Sequence, residues 1–386
     1  MKIQSHELPT GSVGTQRRLR SRHFGRVQSG RKAYIQASLH ADEVPPMLVA
    51  QALAAKLEQL EQGGHIAGEV VLVPMANPIG LSQEIQGSAF GRFALASGKN
   101  FNRDFRSLAD DLVPRIEHRL GMDPAANTRV VRDASRQLLQ EWEPADEAEA
   151  LKRLLQTLAV DADLVLDMHC DLEAAVHLYT GTPQVEAFRP LAGYLGVQAF
   201  LTSDSSTGTP FEEAASRFWA KLADHFDGRF PINKLACLAA TLELRGQGEV
   251  SRELAERDAT AIVDFLRVTG HVDGEPAPAP VPCKDTPLEG VQPVTARASG
   301  IVVFDKAPGD WVVTGERVAE IVDPLTDERT PIEAEVTGRC FARTNRRFAS
   351  KGRGAGIASA GARSRSRQEA CSRPPTCSPA SRCVPR

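Results

Sequence analysis

Short runs of apolar residues alternate with helical segments along the first 270 residues of the chain. The runs predicted as strands are 33–39, 69–74, 164–168 and 236–244. The segments predicted as helices are 45–62, 106–145, 147–159, 187–195, 211–227 and 251–270. Runs this apolar are typical of strands that are buried on both faces. Their alternation with helices predicts an α/β fold with a mixed, mostly parallel sheet flanked by helices.

The composition changes after this region and marks three further segments. Residues 274–287 are Pro-rich, which predicts an extended, semi-rigid linker. Residues 288–351 carry short β-rich pieces separated by turn residues, which predicts a small all-β module, a barrel or a sandwich. The predicted organisation is therefore an α/β domain over 1–273, the linker, the β-module and a tail over 352–386.

The tail has a composition that cannot form a packed core. It contains seven Arg, one Glu and no Lys, a net charge of +6, and it is rich in Gly, Ala, Ser and Pro. Such composition predicts disorder. The β-module stops abruptly before it, as if a last strand were missing. A shifted reading frame would explain both features, and a genuine basic tail is the alternative.

Charge and cysteine usage restrict the class of protein. The formal net charge is −3, which provides no strong attraction to nucleic acid or membrane surfaces. No stretch approaches the roughly 18 apolar residues of a membrane span, and residues 1–32 lack the apolar core of a signal peptide. Seven Cys without CxxC spacing indicate reduced thiols. We expect a cytoplasmic protein that binds neither nucleic acid nor membrane.

Metal-ligand residues follow two of the predicted strands. His40 and Glu43 come directly after the first strand, and His169 follows the strand 164–168. Polar side chains at the carboxyl ends of parallel strands meet at one edge of a sheet. Two imidazoles and a carboxylate form a donor set typical of catalytic zinc, so we predict a Zn²⁺ site. A solvated loop is the alternative for His40 and Glu43 considered alone.

The aspartates beside these residues are candidates for orienting the ligands. Asp42 is a candidate partner of His40. We expect Asp167 to point to the opposite face of its strand from His169, which makes Asp171 the better partner for that ligand. The two histidines would then each have one adjacent carboxylate.

Glu243 lies inside the apolar strand 236–244. A carboxylate there is unfavourable unless it is paired, linked to a metal or placed at the mouth of a site. Burial would raise its pKa, which suits a residue that takes a proton from water and passes it to a leaving amine. An edge-strand Glu facing water is the alternative.

Several polar residues are candidates for binding a substrate. Asn102 and Arg103 lie in a loop that is too polar to be core, and Arg forms bidentate pairs with carboxylates. Arg92 is positioned ten residues earlier to stabilise an oxyanion, with a solvated surface Arg as the alternative. Tyr179 and Arg245 are additional candidates for the wall of a substrate pocket.

The order of these fragments resembles that of the succinylglutamate desuccinylase/aspartoacylase family, within the zinc carboxypeptidase-like superfamily. The family pattern has H-x-x-E, N-P, an Arg, N-R, a strand ending in His and a late strand carrying Glu. The corresponding residues of this chain are His40 and Glu43, Asn77 and Pro78, Arg92, Asn102 and Arg103, His169, and Glu243. The resemblance covers roughly residues 30 to 270, and the β-module is also similar to the family's C-terminal β-domain.

The resemblance implies a zinc-dependent amidohydrolase that cleaves a small N-acyl amino acid into a carboxylate and a free amino acid. It implies that His40, Glu43 and His169 hold Zn²⁺, that Glu243 acts as general base and then acid, and that Arg92 polarises the scissile carbonyl. Asn102 and Arg103 would bind the substrate carboxylate. A zinc carboxypeptidase acting on peptides and a non-catalytic metal-binding relative remain alternatives, and the oligomeric state, a homo-oligomer included, stays open.

Overall fold

A computed structural model describes residues 1–9, 12–26, 30–204 and 208–352, together with the backbone of 354–362. It contains no helix, within those ranges, that is long and apolar enough to cross a membrane.

One large sheet organises the first 290 residues of the chain. Nine strands of the described chain form it in the order β1-β2-β4-β3-β7-β11-β9-β10-β12. The strands of this region, including a small β5–β6 hairpin and the short β8, are β1 (Lys2–Leu8), β2 (Arg17–Gly25), β3 (Lys32–Ala37), β4 (Glu69–Val73), β5 (Glu84–Ile85), β6 (Ser88–Ala89), β7 (Leu164–Asp171), β8 (Glu173–Ala174), β9 (His177–Thr180), β10 (Ala199–Thr202), β11 (Leu238–Gly246) and β12 (Asp285–Pro287). Five of the eight neighbouring pairs in these described strands are parallel, including β3 with β7 and β7 with β11.

Helices cover both faces of the sheet. They are α1 (Pro45–Gln62), α2 (Pro78–Leu81), α3 (Ala109–Ile116), α4 (Pro124–Gln140), α5 (Glu147–Ala159), α6 (Val185–Leu195), α7 (Phe211–His225) and α8 (Arg252–Val268), with 3₁₀ turns at Glu117–Arg119, Thr182–Gln184 and Leu288–Gly290. Alternation along each strand sends Tyr34 and Val165 into a core with α3, α4, α5 and α7. Ile35 and Leu166 enter a second core with α1, α6 and α8 on the other face. The predicted fold, a mostly parallel sheet flanked by helices, is confirmed.

Several helices begin where the sequence supplies a capping side chain or a proline. Asp146 accepts a hydrogen bond from the Glu149 amide at the start of α5, and Ser251 accepts one from the Leu254 amide at the start of α8. Side chains of this type satisfy backbone donors that a helix terminus leaves unpaired. These caps fix the starting points of α5 and of α8, the helix that follows β11.

The first 25 residues form an antiparallel hairpin that the sequence analysis did not predict. β1 pairs with β2, and β2 pairs with β4 at one edge of the sheet. One face of β2 is buried along the strand, at Leu19, Ser21 and His23, while the other face is buried only at Phe24, which packs into the second core. Its outward side chains are Arg18, Arg20 and Arg22, so the segment reads as polar and basic.

The C-terminal module consists of two small antiparallel sheets, as predicted. Its strands are β13 (Val291–Thr295), β14 (Gly300–Phe304), β15 (Trp311–Val312), β16 (Arg317–Val322), β17 (Arg329–Glu333), β18 (Thr337–Arg343), β19 (Phe348–Ala349) and β20 (Gly354–Ala362). In the part of the module that is described, one sheet has the order β17-β16-β14-β19 and the other the order β13-β20-β18-β15. Val302, Val318 and Ile321 belong to the core between them.

Strand β20 corrects the expectation that packed structure ends at residue 352. Its backbone pairs with β13 on one side and with β18 on the other. Small residues are sufficient for this position because a strand between two others is held by backbone hydrogen bonds on both edges. The prediction of a disordered tail therefore does not hold for Gly354–Ala362. Residues 363–386 lie outside the described part of the chain, and the origin of the tail stays open.

Ending the protein after Lys351 is expected to destabilise the module, because β13 and β18 would lose the strand between them. A protein ending after Ala362 keeps that strand and is the matched control. We expect the first truncation to lower the Tm and to promote aggregation through the exposed strand edges. Thermal unfolding and size-exclusion chromatography of the two proteins measure the effect, and equal Tm values would contradict it.

The module and the linker both join the α/β domain. β8 pairs with β18, and Glu173 of β8 forms ion pairs of 2.6 Å with Arg343 and Arg347. The linker packs along α6, where the Tyr194 hydroxyl donates to the carbonyl oxygen of Ala277 at 2.5 Å. It then adds β12 to the edge of the large sheet beside β10.

Candidate active site

The loop after β3 places two of the predicted ligands together. His40 and Glu43 are each only 3% exposed, and His40 Nδ1 lies 3.0 Å from Glu43 Oε1. Ser38 adopts a positive φ of 59°, and its hydroxyl donates to the Glu43 carbonyl oxygen at 2.5 Å. The chain therefore turns sharply after the strand and directs both side chains inward.

The end of β7 brings His169 to the same point. His169 Nδ1 lies 2.7 Å from Glu43 Oε2, and the rings of His40 and His169 are 5.0 Å apart. One ligand atom from each of His40, Glu43 and His169 lies within 4.8 Å of the other two. Two imidazoles and a carboxylate, buried and this close, fit the donor set of a catalytic zinc ion.

The second nitrogen of each imidazole is held by a different polar side chain. His40 Nε2 lies 2.8 Å from Asn100 Oδ1, and His169 Nε2 lies 3.0 Å from Asp167 Oδ2. Both Nδ1 atoms consequently face Glu43. Such outer contacts fix the ring orientation and tautomer of a metal-binding histidine.

The expectation that Asp167 and His169 lie on opposite faces of their strand is wrong. Residues two apart in a strand share a face, and the Asp167 carboxylate accordingly reaches His169 while accepting a hydrogen bond from Gln36 Nε2 at 2.9 Å. Asp171 accepts a hydrogen bond from the Leu172 amide instead. Asp42, the candidate partner of His40, contacts Gln247 at 3.3 Å.

If the cluster of His40, Glu43 and His169 holds Zn²⁺, replacing Asp167 with Asn is expected to weaken that binding by roughly 10- to 100-fold, because the outer contact of His169 loses its charge. Asp171→Asn is the matched control and should retain an affinity close to that of the wild type. Competition with a chromogenic chelator measures both affinities. A larger loss in the Asp171 variant would instead support the partner expected from the sequence.

The charges of the cluster set the protonation of its members. Burial lowers the pKa of His169, but the neighbouring Asp167 and Glu43 charges outweigh it and raise the pKa well above its ordinary value. Burial, followed by the charge of Arg92, lowers the pKa of His40 to about 4. Burial raises the pKa of Glu43, but the two histidines lower it far more. Near pH 7, His40 is therefore neutral, and metal binding would displace a proton from His169.

Strand β11 places Glu243 beside this cluster. Glu243 is the register partner of His169 on the neighbouring strand. Its Oε2 atom is buried and has no hydrogen-bond partner among the described residues. Burial, followed by the charge of Glu43, raises the pKa of Glu243 well above its ordinary value. A carboxylate with a raised pKa is a stronger base than an exposed glutamate.

Arg92 lies against the ligand loop. Its Nη1 atom is 3.2 Å from His40 Nδ1 and 3.3 Å from Glu43 Oε1. The preceding Gly91 allows this approach, because a Cβ there would lie only 2.1 Å from the backbone nitrogen of Asp42. The guanidinium is thus fixed within the site by close packing of two loops.

Asn102 connects the cluster to α7. Its Nδ2 atom lies 3.3 Å from His169 Nε2, and its Oδ1 atom accepts a hydrogen bond from the Phe211 amide at 2.9 Å. Arg103 Nη1 donates to the Asn102 carbonyl oxygen at 2.6 Å. The start of α7 is therefore held next to the candidate ligands.

A single cleft of about 400 Å³ is bordered by most of the predicted site residues. They are His40, Arg92, Asn102, Arg103, His169, Tyr179 and Glu243. Tyr179 comes from β9, where it pairs with Thr241 of β11. The volume is within the range of small-molecule sites, roughly 300–1,000 Å³.

The structure does not bring Arg245, a predicted substrate-binding residue, to this cleft. Alternation from Glu243 would place it there, but the register shifts between Glu243 and Gly246, and Arg245 has a positive φ of 68°. This bulge redirects the side chain to a buried ion pair with Asp258. Arg245 then borders a separate cavity beside the C-terminal module.

Comparison with known families identifies the domain that carries the cleft. Residues 29–269 match the catalytic domain of succinylglutamate desuccinylase/aspartoacylase. The chain belongs to the succinylglutamate desuccinylase/aspartoacylase family. The matched region of this family member includes His40, Glu43, His169 and Glu243, and it ends one residue after α8.

Solved structures show that the family fold extends over the C-terminal module. A family protein from Shewanella amazonensis has a TM-score of 0.81 and 23% identity, covering 93% of this chain and 98% of its own. One from Shewanella frigidimarina has a TM-score of 0.81 and 21% identity, covering 93% and 97%. The product-bound ectoine utilization protein EutE (DoeB) of Ruegeria pomeroyi has a TM-score of 0.64 and 15% identity, covering 93% and 94%. No curated protein matches the sequence.

Sequence reasoning gave no role to Asn100 or Glu212 at the site of this family member, and it assigned Asp167 to the wrong face of its strand. Asn100 and Asp167 hold the histidines, and Glu212 borders the cleft from the first turn of α7. The two-residue spacing of Asp167 and His169 was a usable signal. Nothing in the sequence indicated that Glu212 lies at the site, because a Glu near a helix start is common on solvated surfaces.

Proposed function

We propose that this family member is a zinc-dependent deacylase. It would hydrolyse the amide bond of an N-acyl amino acid, of the N-succinylglutamate or N-acetylaspartate type, to a carboxylate and a free amino acid. The observation that carries the proposal is the buried cluster of His40, Glu43 and His169 beside Glu243, whose buried Oε2 atom has no hydrogen-bond partner in the part of the chain that the structure describes. Family membership supports the same chemistry.

The metal would be held by His40, Glu43 and His169. Zinc bound there supplies Lewis-acid chemistry, which activates water and polarises an amide carbonyl. Burial of all three side chains excludes solvent from the donor atoms. Asn100 and Asp167 keep the imidazoles oriented.

Glu243 and Arg92 would act on the reacting atoms. The Glu243 carboxylate would take a proton from the attacking water and return it to the amine as the C–N bond breaks. Burial raises the pKa of Glu243, which makes it a stronger base than an exposed glutamate. Arg92, fixed beside His40 and Glu43, stabilises negative charge that develops on the carbonyl oxygen.

Arg103 and Asn102 would bind the carboxylate of the substrate. A guanidinium can donate two parallel hydrogen bonds to a carboxylate, and Arg103 borders the cleft beside Asn102. Tyr179 forms part of the wall. We infer that the reaction is cytoplasmic, in accord with the absence of a membrane-crossing helix from the described residues.

The proposal is tested on one purified sample. Its metal content is measured by elemental analysis, and release of free amino acid is measured with N-succinylglutamate, N-acetylaspartate and a panel of N-acyl amino acids. About one zinc per chain with chelator-sensitive hydrolysis is expected. Zinc with hydrolysis of peptides alone would favour a carboxypeptidase, and zinc without any hydrolysis a non-catalytic relative. Failure to bind metal after reconstitution would reject the proposal.

A further inference from the structure

A row of buried polar side chains leads from the hydrophobic core to the candidate metal ligands. Its members are Tyr34 and Gln36 of β3 and Asp167 and His169 of β7. The first three are completely buried, and His169 is 1% exposed. Residues two apart in a strand share a face, and Gln36 is the register partner of Asp167 on the neighbouring strand. The four side chains therefore lie on one face of the sheet.

Hydrogen bonds join the row in a fixed direction. The Tyr34 hydroxyl donates to Gln36 Oε1 at 2.8 Å, and Gln36 Nε2 donates to Asp167 Oδ1 at 2.9 Å. The second carboxylate oxygen, Oδ2, lies 3.0 Å from His169 Nε2. The reverse orientation of the amide would place its oxygen against the Asp167 carboxylate, where neither group has a proton to donate. Only one orientation of Gln36 therefore satisfies both contacts.

The Asp167 carboxylate depends on Gln36 for its position. In the part of the chain that the structure describes, no other side-chain or backbone group donates a hydrogen bond to this carboxylate. A buried carboxylate is unfavourable unless its oxygens have partners. Loss of the Gln36 amide would leave Oδ1 without a donor and would free the carboxylate to turn away from His169.

Tyr34 anchors the far end of the row in the core. Its ring lies 5.7 Å from that of Phe211, measured between ring centroids, within the core that contains α3, α4, α5 and α7. Burial, followed by the charge of Asp167, raises the pKa of Tyr34 well above its ordinary value, so the hydroxyl keeps the proton that it donates. Neither Tyr34 nor Gln36 borders the cleft. Their effect on the site must therefore pass through Asp167.

We propose that Gln36 and Tyr34 are positioning residues of the candidate metal site. Gln36 keeps the Asp167 carboxylate against His169 Nε2, and Tyr34 keeps the Gln36 amide in the orientation that this contact requires. The Nδ1 atom of His169 consequently stays directed at Glu43, 2.7 Å away. This inference rests on the proposed function and extends the residues that maintain its metal ligands into the core of the domain.

Substitutions that remove single polar groups test the row. Gln36→Leu removes the amide with little change in volume, and we expect zinc binding to weaken by about tenfold, the lower end of the range for outer partners of a metal ligand. Tyr34→Phe removes only the hydroxyl and should have a smaller effect in the same direction. Gln292→Leu and Tyr194→Phe remove a hydrogen-bonded amide and hydroxyl far from the ligands and should keep the wild-type affinity. Competition with a chromogenic chelator measures all five proteins.

Combination with Asp167→Ala separates positioning from a general loss of stability. Because Gln36 acts through Asp167, Gln36→Leu should cause no further loss of zinc affinity once the carboxylate is absent, the non-additivity expected of residues in one network. A loss of the same size with and without Asp167 would indicate a merely structural role and would overturn the inference. Wild-type affinity in Gln36→Leu would overturn it as well.

A crystal structure of metal-free Gln36→Leu provides a readout that does not depend on zinc. The Asp167 carboxylate is expected to turn away from His169, and retention of their contact would overturn the inference. Should the wild type bind no zinc, the deacylase proposal fails, and the position of Asp167 in this variant alone decides the inference. Should Gln36→Leu match a wild type that binds zinc and hydrolyses N-acyl amino acids, the inference alone fails.

Discussion

Glu243→Gln is expected to lower kcat by roughly 10²- to 10⁴-fold, the contribution of a positioned general acid–base group. Glutamine has the shape of glutamate but cannot exchange the proton. Zinc content should stay at the wild-type level, because Glu243 is not among the three clustered donor residues. The comparison requires kcat and elemental analysis on the same preparation.

The stability of the Glu243 variant separates chemistry from folding. The buried Oε2 atom has no hydrogen bond among the described residues to lose, and glutamine keeps the volume of glutamate. The Tm should therefore not fall. Glu186→Gln, on the exposed surface of α6, is a control that should change neither the Tm nor kcat. Wild-type turnover in Glu243→Gln would remove this residue from the mechanism.

His169→Ala should abolish zinc binding under conditions in which the wild type retains about one ion per chain. The imidazole is one of three donor groups, and its loss leaves Glu43 and Asp167 as buried carboxylates without their shared partner. Breaking a buried ion pair costs about 3–5 kcal/mol, so the free energy of unfolding should fall as well. Elemental analysis and denaturant titration measure the two effects.

A second buried histidine distinguishes loss of a ligand from loss of packing. His177 lies on β9, where its ring packs against Tyr179 and Phe341, and it contacts a backbone carbonyl oxygen rather than Glu43. His177→Ala should destabilise the protein while its zinc content is unchanged. Full zinc retention in His169→Ala would refute the ligand assignment.

The strands that could be predicted from the sequence are those whose pattern of apolar residues matches the burial of their faces. Continuous apolar strands such as 164–168 can be recognised because both faces are covered, and the polar residues at their ends then mark the site. β2 was missed because one of its faces carries mainly arginines and is buried only at Phe24. β20 was missed because its pairing with β13 and β18 depends on backbone contacts that composition does not report.

The errors at the site have equally specific causes. Asp167 was assigned to the wrong face of its strand. It lies two residues from His169 and therefore shares a face with it. Arg245 was a candidate for the pocket wall, but a bulge and a positive φ redirect its side chain away from the cleft. Bulges near active sites redirect side chains, and no residue type in the strand signals this one. Glu212 reaches the cleft only because a distant loop, through Asn102, holds the start of α7.

The pairing of β8 with β18 and of β12 with β10 has a consequence for protein engineering. The composition of the chain changes at residue 274, but hydrogen-bonded strand pairs connect the segments before and after it. β8 pairs with β18, and β12 pairs with β10. A chimaera joined there would combine the module of one relative with docking strands selected for another. Exchange of modules between relatives should therefore transfer β8, β12 and the partners of Glu173 as one unit, and we expect such chimaeras to unfold in a single transition.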